Sequence, residues 1–140
     1  MSETVHASTV AIAGRAVMLE GPSGTGKSDL ALRLIDRGAI LVSDDYTLLV
    51  RSGDTLLASA PPTIAGQIEV RGVGILPLPH AGPIPVAMLV RLDCDVERLP
   101  EPAVRSIAGV AIREIAIDPR EHSAPIKVEL ALHHLLDGTS

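Results

Sequence analysis

Apolar and polar positions alternate weakly over residues 4–7 and 9–13, which predicts two short strands leading to a turn at Gly14-Arg15. The apolar run Ala16-Val17-Met18-Leu19 follows as a third strand, over residues 16–20. From Lys27 to Arg37 the spacing changes. Leu30, Ala31, Leu34 and Ile35 recur at helical intervals, and Gly38 ends the helix. Ala39-Ile40-Leu41-Val42 reads as a buried strand that opens at its carboxyl end into Ser43-Asp44-Asp45. Residues 46–50 and 55–59, separated by Arg51-Ser52-Gly53-Asp54, form an expected hairpin. Ile68 to Ile75 alternates and carries two glycines, predicting a strand with bends or a close backbone approach, and the proline-rich stretch from Pro77 to Pro85 predicts loop. Val86 to Leu92 is a further strand, Asp93 to Arg105 a polar segment without an element, and Val110 to Ile117 the last strand. Ala124 to Leu136, with Ile126, Leu130, Leu132 and Leu135 as its apolar positions, is a closing amphipathic helix.

The third strand and the first helix are joined by Gly21-Pro22-Ser23-Gly24-Thr25-Gly26-Lys27-Ser28, which satisfies G-x-x-x-x-G-K-[ST] in its proper strand-to-helix setting. The glycines let the backbone curl so that N–H groups converge on a phosphate chain, and the helix presents its positive end to the same anion. Lys27 would reach the outer phosphates and Ser28 would ligate Mg²⁺, so ATP with Mg²⁺ is the expected pair. Two helices against seven or more strands depart from the strand–helix alternation usual around such a loop. The expected fold class is therefore α/β, a strand-rich P-loop domain with few helices. One domain covers residues 1–140.

Composition narrows the chemistry. The chain lacks asparagine altogether, which removes the Asn-Lys-x-Asp guanine reader and the His-Arg-Asp…Asn catalytic loop; the absence of Phe removes Asp-Phe-Gly. A Ras-like switch and a eukaryote-type protein kinase are excluded. Tyr46 is the only aromatic residue and the formal net charge is −5, which argue against nucleic acid and against an acidic membrane surface as partners. A lone cysteine, Cys94, and the lack of a signal-like or membrane-spanning apolar run lead to a cytoplasmic expectation. Asp44 and Asp45 lie roughly where a Walker B acid meets Mg²⁺, and adjacent carboxylates beside a nucleotide suit general-base work; the residues alone leave open whether one or both act.

His6, Gly21 to Ser28, Leu41-Val42-Ser43-Asp44-Asp45, Ile68-Glu69-Val70-Arg71-Gly72-Val73-Gly74-Ile75 and the Val128-Glu129 helix together resemble, in order and spacing, the catalytic domain of bacterial HPr kinase/phosphorylase. The resemblance implies a fold like that of phosphoenolpyruvate carboxykinase. It also implies an ATP-using protein-serine kinase acting on HPr, a small phosphocarrier, with pyrophosphate as an alternative donor and a reverse phosphorolysis in which phosphate attacks phosphoserine. By the same resemblance Asp45 is the catalytic acid/base, Asp44 its neighbour at Mg²⁺, His6 the group beside Asp45, and Glu69 a second Mg²⁺ ligand. Arg71 becomes a candidate for phosphate or aspartate contact, or a surface arginine. Arg98 matches an arginine that arrives over the transferring phosphoryl group, and Arg120 lies in the segment matching a dephosphorylation loop. A homo-oligomer is open, because family members form hexamers. Two other readings stay beside this one: a small-molecule kinase on the same loop, and a nucleotide-sensing module without turnover.

Overall fold

A computed structural model describes residues 2–137. Eleven strands and two helices run in the order β1 (Ser2–Val5), β2 (Ala7–Ile12), β3 (Arg15–Glu20), α1 (Lys27–Asp36), β4 (Ile40–Ser43), β5 (Thr47–Ser52), β6 (Thr55–Ser59), β7 (Gln67–Val70), β8 (Gly74–Pro77), β9 (Ile84–Arg91), β10 (Ala103–Ile107), β11 (Val110–Ala116) and α2 (Ala124–Leu136). Nine strands make one sheet, ordered β1-β5-β6-β9-β3-β2-β4 with β11 and then β10 branching from β9; β7 and β8 form a separate hairpin.

The long strand β9 organises this branching. Along one edge it runs parallel to β3, from Ala16 opposite Val86 to Glu20 opposite Arg91. On the other edge its start pairs antiparallel with β6 and its end pairs parallel with β11. Both β3 and β9 therefore deliver their carboxyl ends to the same margin of the sheet, where the loop to α1 begins.

Alternation along the central strands buries both faces. Val10, Val17, Leu19, Leu41, Met88 and Val90 face α1 and α2, meeting Leu30, Leu34, Val128 and Leu132. Ala7, Ala11, Ala16, Met18, Val42 and Leu89 point the opposite way, against Leu49, Leu56, Ile107 and Ile112. The protein is thus layered, with helices on one face of the central strands and the two outer hairpins on the other. Each fully buried aliphatic side chain in such a core contributes about 1.5–3 kcal/mol. The helices are tied to each other at the surface by Arg37, whose Nε and Nη2 donate to Glu129 Oε1 at 3.0 and 2.8 Å.

The sequence reading of α1 and α2 agrees with the observed spans, and several other expectations are corrected. The first two strands start earlier than expected and the turn centres on Ala13 and Gly14, both at positive φ, the pair a tight two-residue hairpin favours. The stretch from Ile68 to Ile75 is not one bent strand. It is the β7–β8 hairpin, reversed at residues 71–73, with Gly72 at φ +85° and Gly74 at φ +128°. The proline-rich loop is shorter than expected, since Pro77 closes β8 and Ile84-Pro85 already belong to β9.

The polar segment contains β10, which pairs with β11. Its Arg105 defeats a hydrophobicity pattern because it turns toward Glu20 and Glu114, donating to them at 2.7 and 2.5 Å. In α2 the inward positions include Val128 and Leu132, whereas Ile126 and Leu130 are exposed. No described helix is long and apolar enough to cross a membrane.

Candidate active site

The loop after β3 owes its path to its glycines. A Cβ on Gly21 would come within 2.6 Å of Thr25 Oγ1, so a side chain at the tight start of the loop would force Thr25 to shift. Gly26, at φ +100°, is the N-cap of α1, and no side chain caps that helix. Its first amides are left for an incoming anion, which is also drawn by the helix dipole.

Lys27 is buried, and a buried ammonium must find partners. Its Nζ donates to the Gly21 carbonyl at 2.7 Å, bracing the loop across its mouth, and lies 3.3 Å from His6 Nε2 and 3.9 Å from Asp45 Oδ1.

Strand β4 brings the two aspartates in from the other side. Asp44 is buried and engaged through both oxygens: Oδ1 accepts from Ser28 Oγ at 2.5 Å and Ser8 Oγ at 3.0 Å, and Oδ2 accepts the Glu69 backbone N–H at 3.0 Å. One carboxylate thus joins the phosphate loop, β2 and the β7–β8 hairpin. Asp45 turns away, because its φ of +69° reverses the direction of the chain. Aspartate tolerates the left-handed region better than most residues, and a strained conformation of this kind costs about 1–3 kcal/mol that the surroundings must hold in place. The restraint here is Ser8, whose Oγ accepts the Asp45 N–H at 3.0 Å while donating to Asp44.

Asp45 is half exposed, and its Oδ1 lies 2.7 Å from His6 Nε2. That nitrogen cannot serve both its neighbours at once. Carrying a proton it donates to Asp45; without one it can accept from Lys27. The ring itself is stacked on Tyr46, with centroids 4.9 Å apart and planes 21° from parallel.

A cleft of about 710 Å³ runs from the phosphate loop to the β7–β8 hairpin. Its walls bring together Lys27, Ser28, Asp44, Asp45, Glu69 and Arg71, residues drawn from separate stretches of sequence. Ser23, Gly24 and Gly26 line it as well. Arg98 and Arg120 are not among its lining residues. Arg98 is exposed in the segment between β9 and β10, and Arg120, also exposed, is engaged by Asp118 through Nε and Nη2, both at 3.0 Å. The guanidinium and backbone N–H of Arg120 hold the Asp118 carboxyl at about 2, well below its usual range.

Ser8 and Tyr46 escaped the sequence reading as members of the site. The signal for Ser8 is two consecutive hydroxyl residues, Ser8-Thr9, inside an apolar strand; both are buried, and Thr9 bonds Thr47 at 2.8 Å.

Among the described residues no three His, Cys, Asp or Glu side chains are gathered as a metal cage. The oxygen-bearing side chains that line the cleft include Ser28, Asp44 and Glu69. That set fits Mg²⁺, which keeps several waters and takes one or two carboxylates alongside substrate phosphates.

A family model for the HPr serine kinase C-terminal domain matches residues 1–81. The chain belongs to this family. Within it, the chain is 36% identical over 147 residues to the HPr kinase/phosphorylase of Chlorobium phaeobacteroides, an alignment covering 94% of this chain and 43% of that protein. The corresponding enzyme of Polaromonas naphthalenivorans is 35% identical over 129 residues, covering 81% of this chain and 41% of the relative. The chain therefore spans less than half the length of these curated relatives. Among solved structures, the Hpr(Ser) kinase/phosphatase from Coxiella burnetii superposes with a TM-score of 0.85 at 27% identity, covering 99% of each chain. The strand-rich architecture matches that of the Coxiella burnetii protein.

Proposed function

We propose that the chain is an Mg²⁺-dependent, ATP-using protein-serine kinase whose substrate is an HPr-type phosphocarrier, and that it also runs the reverse phosphorolysis to pyrophosphate. The observation that carries this reading is the division of labour between adjacent carboxylates. Asp44 is held by Ser28, Ser8 and the Glu69 amide at the metal side of the site, whereas Asp45 stands half exposed in the cleft beside His6 and Lys27. Membership of the family and the names of its members support the substrate assignment.

In the forward direction the seryl hydroxyl gives its proton to Asp45 as its oxygen bonds to the terminal phosphorus of ATP. The bond to the bridging oxygen breaks, and ADP leaves. Lys27 and the loop amides take up charge that develops on the phosphate oxygens. His6, donating from Nε2 to Asp45 Oδ1, orients that carboxylate and leaves its other oxygen to take the proton. In reverse, phosphate surrenders its proton to Asp45 as its oxygen bonds to the phosphorus of phosphoserine; the seryl oxygen–phosphorus bond breaks, the departing seryl oxygen takes the proton back from Asp45, and pyrophosphate forms in the cradle that had held the donor's phosphates.

Mg²⁺, when bound by Ser28, Asp44 and Glu69, would neutralise phosphate charge and hold the donor's tail in place. Arg71 reaches the same cleft from the hairpin turn as a phosphate contact. Arg98 joins only by movement of its exposed segment over the phosphoryl group. The working compartment under this reading is the cytoplasm, and assembly into homo-oligomers is compatible with it.

The test is incubation of the chain with purified HPr, Mg²⁺ and ATP labelled in its terminal phosphate. Label on an HPr serine is the expected result. Label on a small metabolite instead would establish a small-molecule kinase, and bound but unconsumed ATP a nucleotide-sensing module.

A further inference from the structure

Asp29 follows Ser28 directly and lines the cleft from the first turn of α1. A carboxylate there stabilises the helix dipole of the free protein, but it competes with an anionic donor for the same positive field. It sits one residue from Ser28, the hydroxyl proposed to hold the donor's Mg²⁺, with its side chain 71% exposed. Left alone it would repel a polyphosphate at the entrance to its own site.

Arg33 lies four residues on, with Nε 3.1 Å from Asp29 Oδ2 in an ion pair without hydrogen-bond alignment. An ordinary surface pair at this spacing is worth little, because two mobile side chains must be held together. This guanidinium is not mobile in that way. Its Nη2 donates to the Pro119 carbonyl at 2.5 Å and its Nη1 to the Glu121 carbonyl at 3.2 Å, so the segment between β11 and α2 fixes it. Pro119 is itself buried against the phosphate loop, where a Cβ on Gly26 would meet the proline ring at 3.5 Å.

We infer that Arg33 is a positioning residue for the phosphoryl donor: locked by the carbonyls of Pro119 and Glu121, it holds and neutralises Asp29 so that the cleft admits a polyphosphate. The inference rests on the kinase reading for the identity of the donor.

The experiment measures, by calorimetry in Mg²⁺, the binding of ATP and of inorganic pyrophosphate to wild type, Arg33→Ala, Asp29→Asn and the double variant. Arg33→Ala is expected to weaken both ligands on the order of tenfold. Asp29→Asn is expected to tighten them, and adding it to Arg33→Ala to restore at least wild-type affinity. A double variant as weak as Arg33→Ala would overturn the inference, since packing alone would then account for the loss. Unchanged binding by Arg33→Ala would overturn it too. If Arg33→Ala does not fold, Arg33→Gln, which keeps a donor for one carbonyl without the charge, is expected to show the same loss and the same rescue. A wild-type chain that binds either ligand yet phosphorylates no HPr serine would sink the kinase reading while these binding ratios still decide the role of Arg33.

Discussion

Asp44 and Asp45 are consecutive, yet their carboxylates serve different neighbourhoods: Asp44 Oδ1 takes the Ser28 hydroxyl at 2.5 Å, and Asp45 Oδ1 meets His6 Nε2 at 2.7 Å. The reversal at Asp45, with φ of +69°, separates them. Substitutions that keep or lose this reversal should therefore separate stability from chemistry. Asp45→Ala must hold an alanine in a left-handed conformation and is expected to lower stability by about 1–2 kcal/mol, a cost that asparagine largely escapes. Denaturant midpoints of Asp45→Ala and Asp45→Asn, compared with wild type, check the difference.

Ser8 is the hinge between the two aspartates, donating to one and accepting from the backbone of the other. Ser8→Ala leaves the buried Asp44 oxygen and the Asp45 amide short of a partner, at a cost of about 1–3 kcal/mol. Transfer is expected to fall as well, because the Asp45 reversal loses its restraint. A variant with wild-type stability and rate would mean that Ser8 merely fills space.

Tyr46 holds the ring of His6 by stacking, at 4.9 Å between centroids. Being 47% exposed, it contributes little to the core, so its loss should register in rate rather than in stability. Aromatic pairs of this kind are worth about 0.5–1.5 kcal/mol, which sets an expected loss of roughly two- to tenfold in kcat for Tyr46→Ala and almost none for Tyr46→Phe. Equal rates for both variants would show that His6 needs no support from its neighbour. Since Tyr46 is the only aromatic residue in the chain, its fluorescence reports on this site alone.

Asp118 and Arg120 give a pH signature. The hydrogen bonds from Arg120 lower the Asp118 carboxyl from 3.8 to about 2 in the folded protein. A depressed carboxylate stabilises the fold above its unfolded value and ceases to do so as pH falls through the folded one. Arg120→Ala is expected to be slightly less stable than wild type above roughly pH 4 and indistinguishable below roughly pH 2. Thermal melts across that interval test it. A stability gap that persists at the acid end would assign the effect to something other than Asp118.

Arg98 is exposed and away from the cleft lining, so its proposed contact with the phosphoryl group requires its segment to move. Arg98→Ala is expected to lower kcat by about tenfold or more with KM for ATP nearly unchanged, as for a cation engaged only at the transition state. An unaltered kcat would leave Arg98 as a surface residue.

Much of this site is legible along the chain itself. The phosphate loop is a local motif, written in consecutive residues, and the spans of α1 and α2 follow from periodicity, with a stop at Gly38 and Pro125 near the start of α2. What escaped depends on contacts between distant parts of the chain. Ser8 and Asp44 are thirty-six residues apart, and nothing in either neighbourhood announces the other. β10 is hidden because Arg105 turns toward carboxylates on β3 and β11, so a charged residue occupies a position where alternation expects an apolar one. Ile126 and Leu130 mislead in the opposite sense: apolar at helical spacing, they nonetheless face outward on α2.

The separation of Asp44 from Asp45 is tested most directly by measuring two quantities on two variants: Mg²⁺-dependent ATP binding and transfer of label to an HPr serine. Asp45→Asn is expected to bind MgATP like wild type and to transfer at least about a hundredfold more slowly, as loss of a general base requires. Asp44→Asn is expected to lose Mg²⁺-dependent binding itself. If Asp45→Asn lost binding and transfer in parallel, or transferred at the wild-type rate, the assignment of proton transfer to Asp45 would be contradicted.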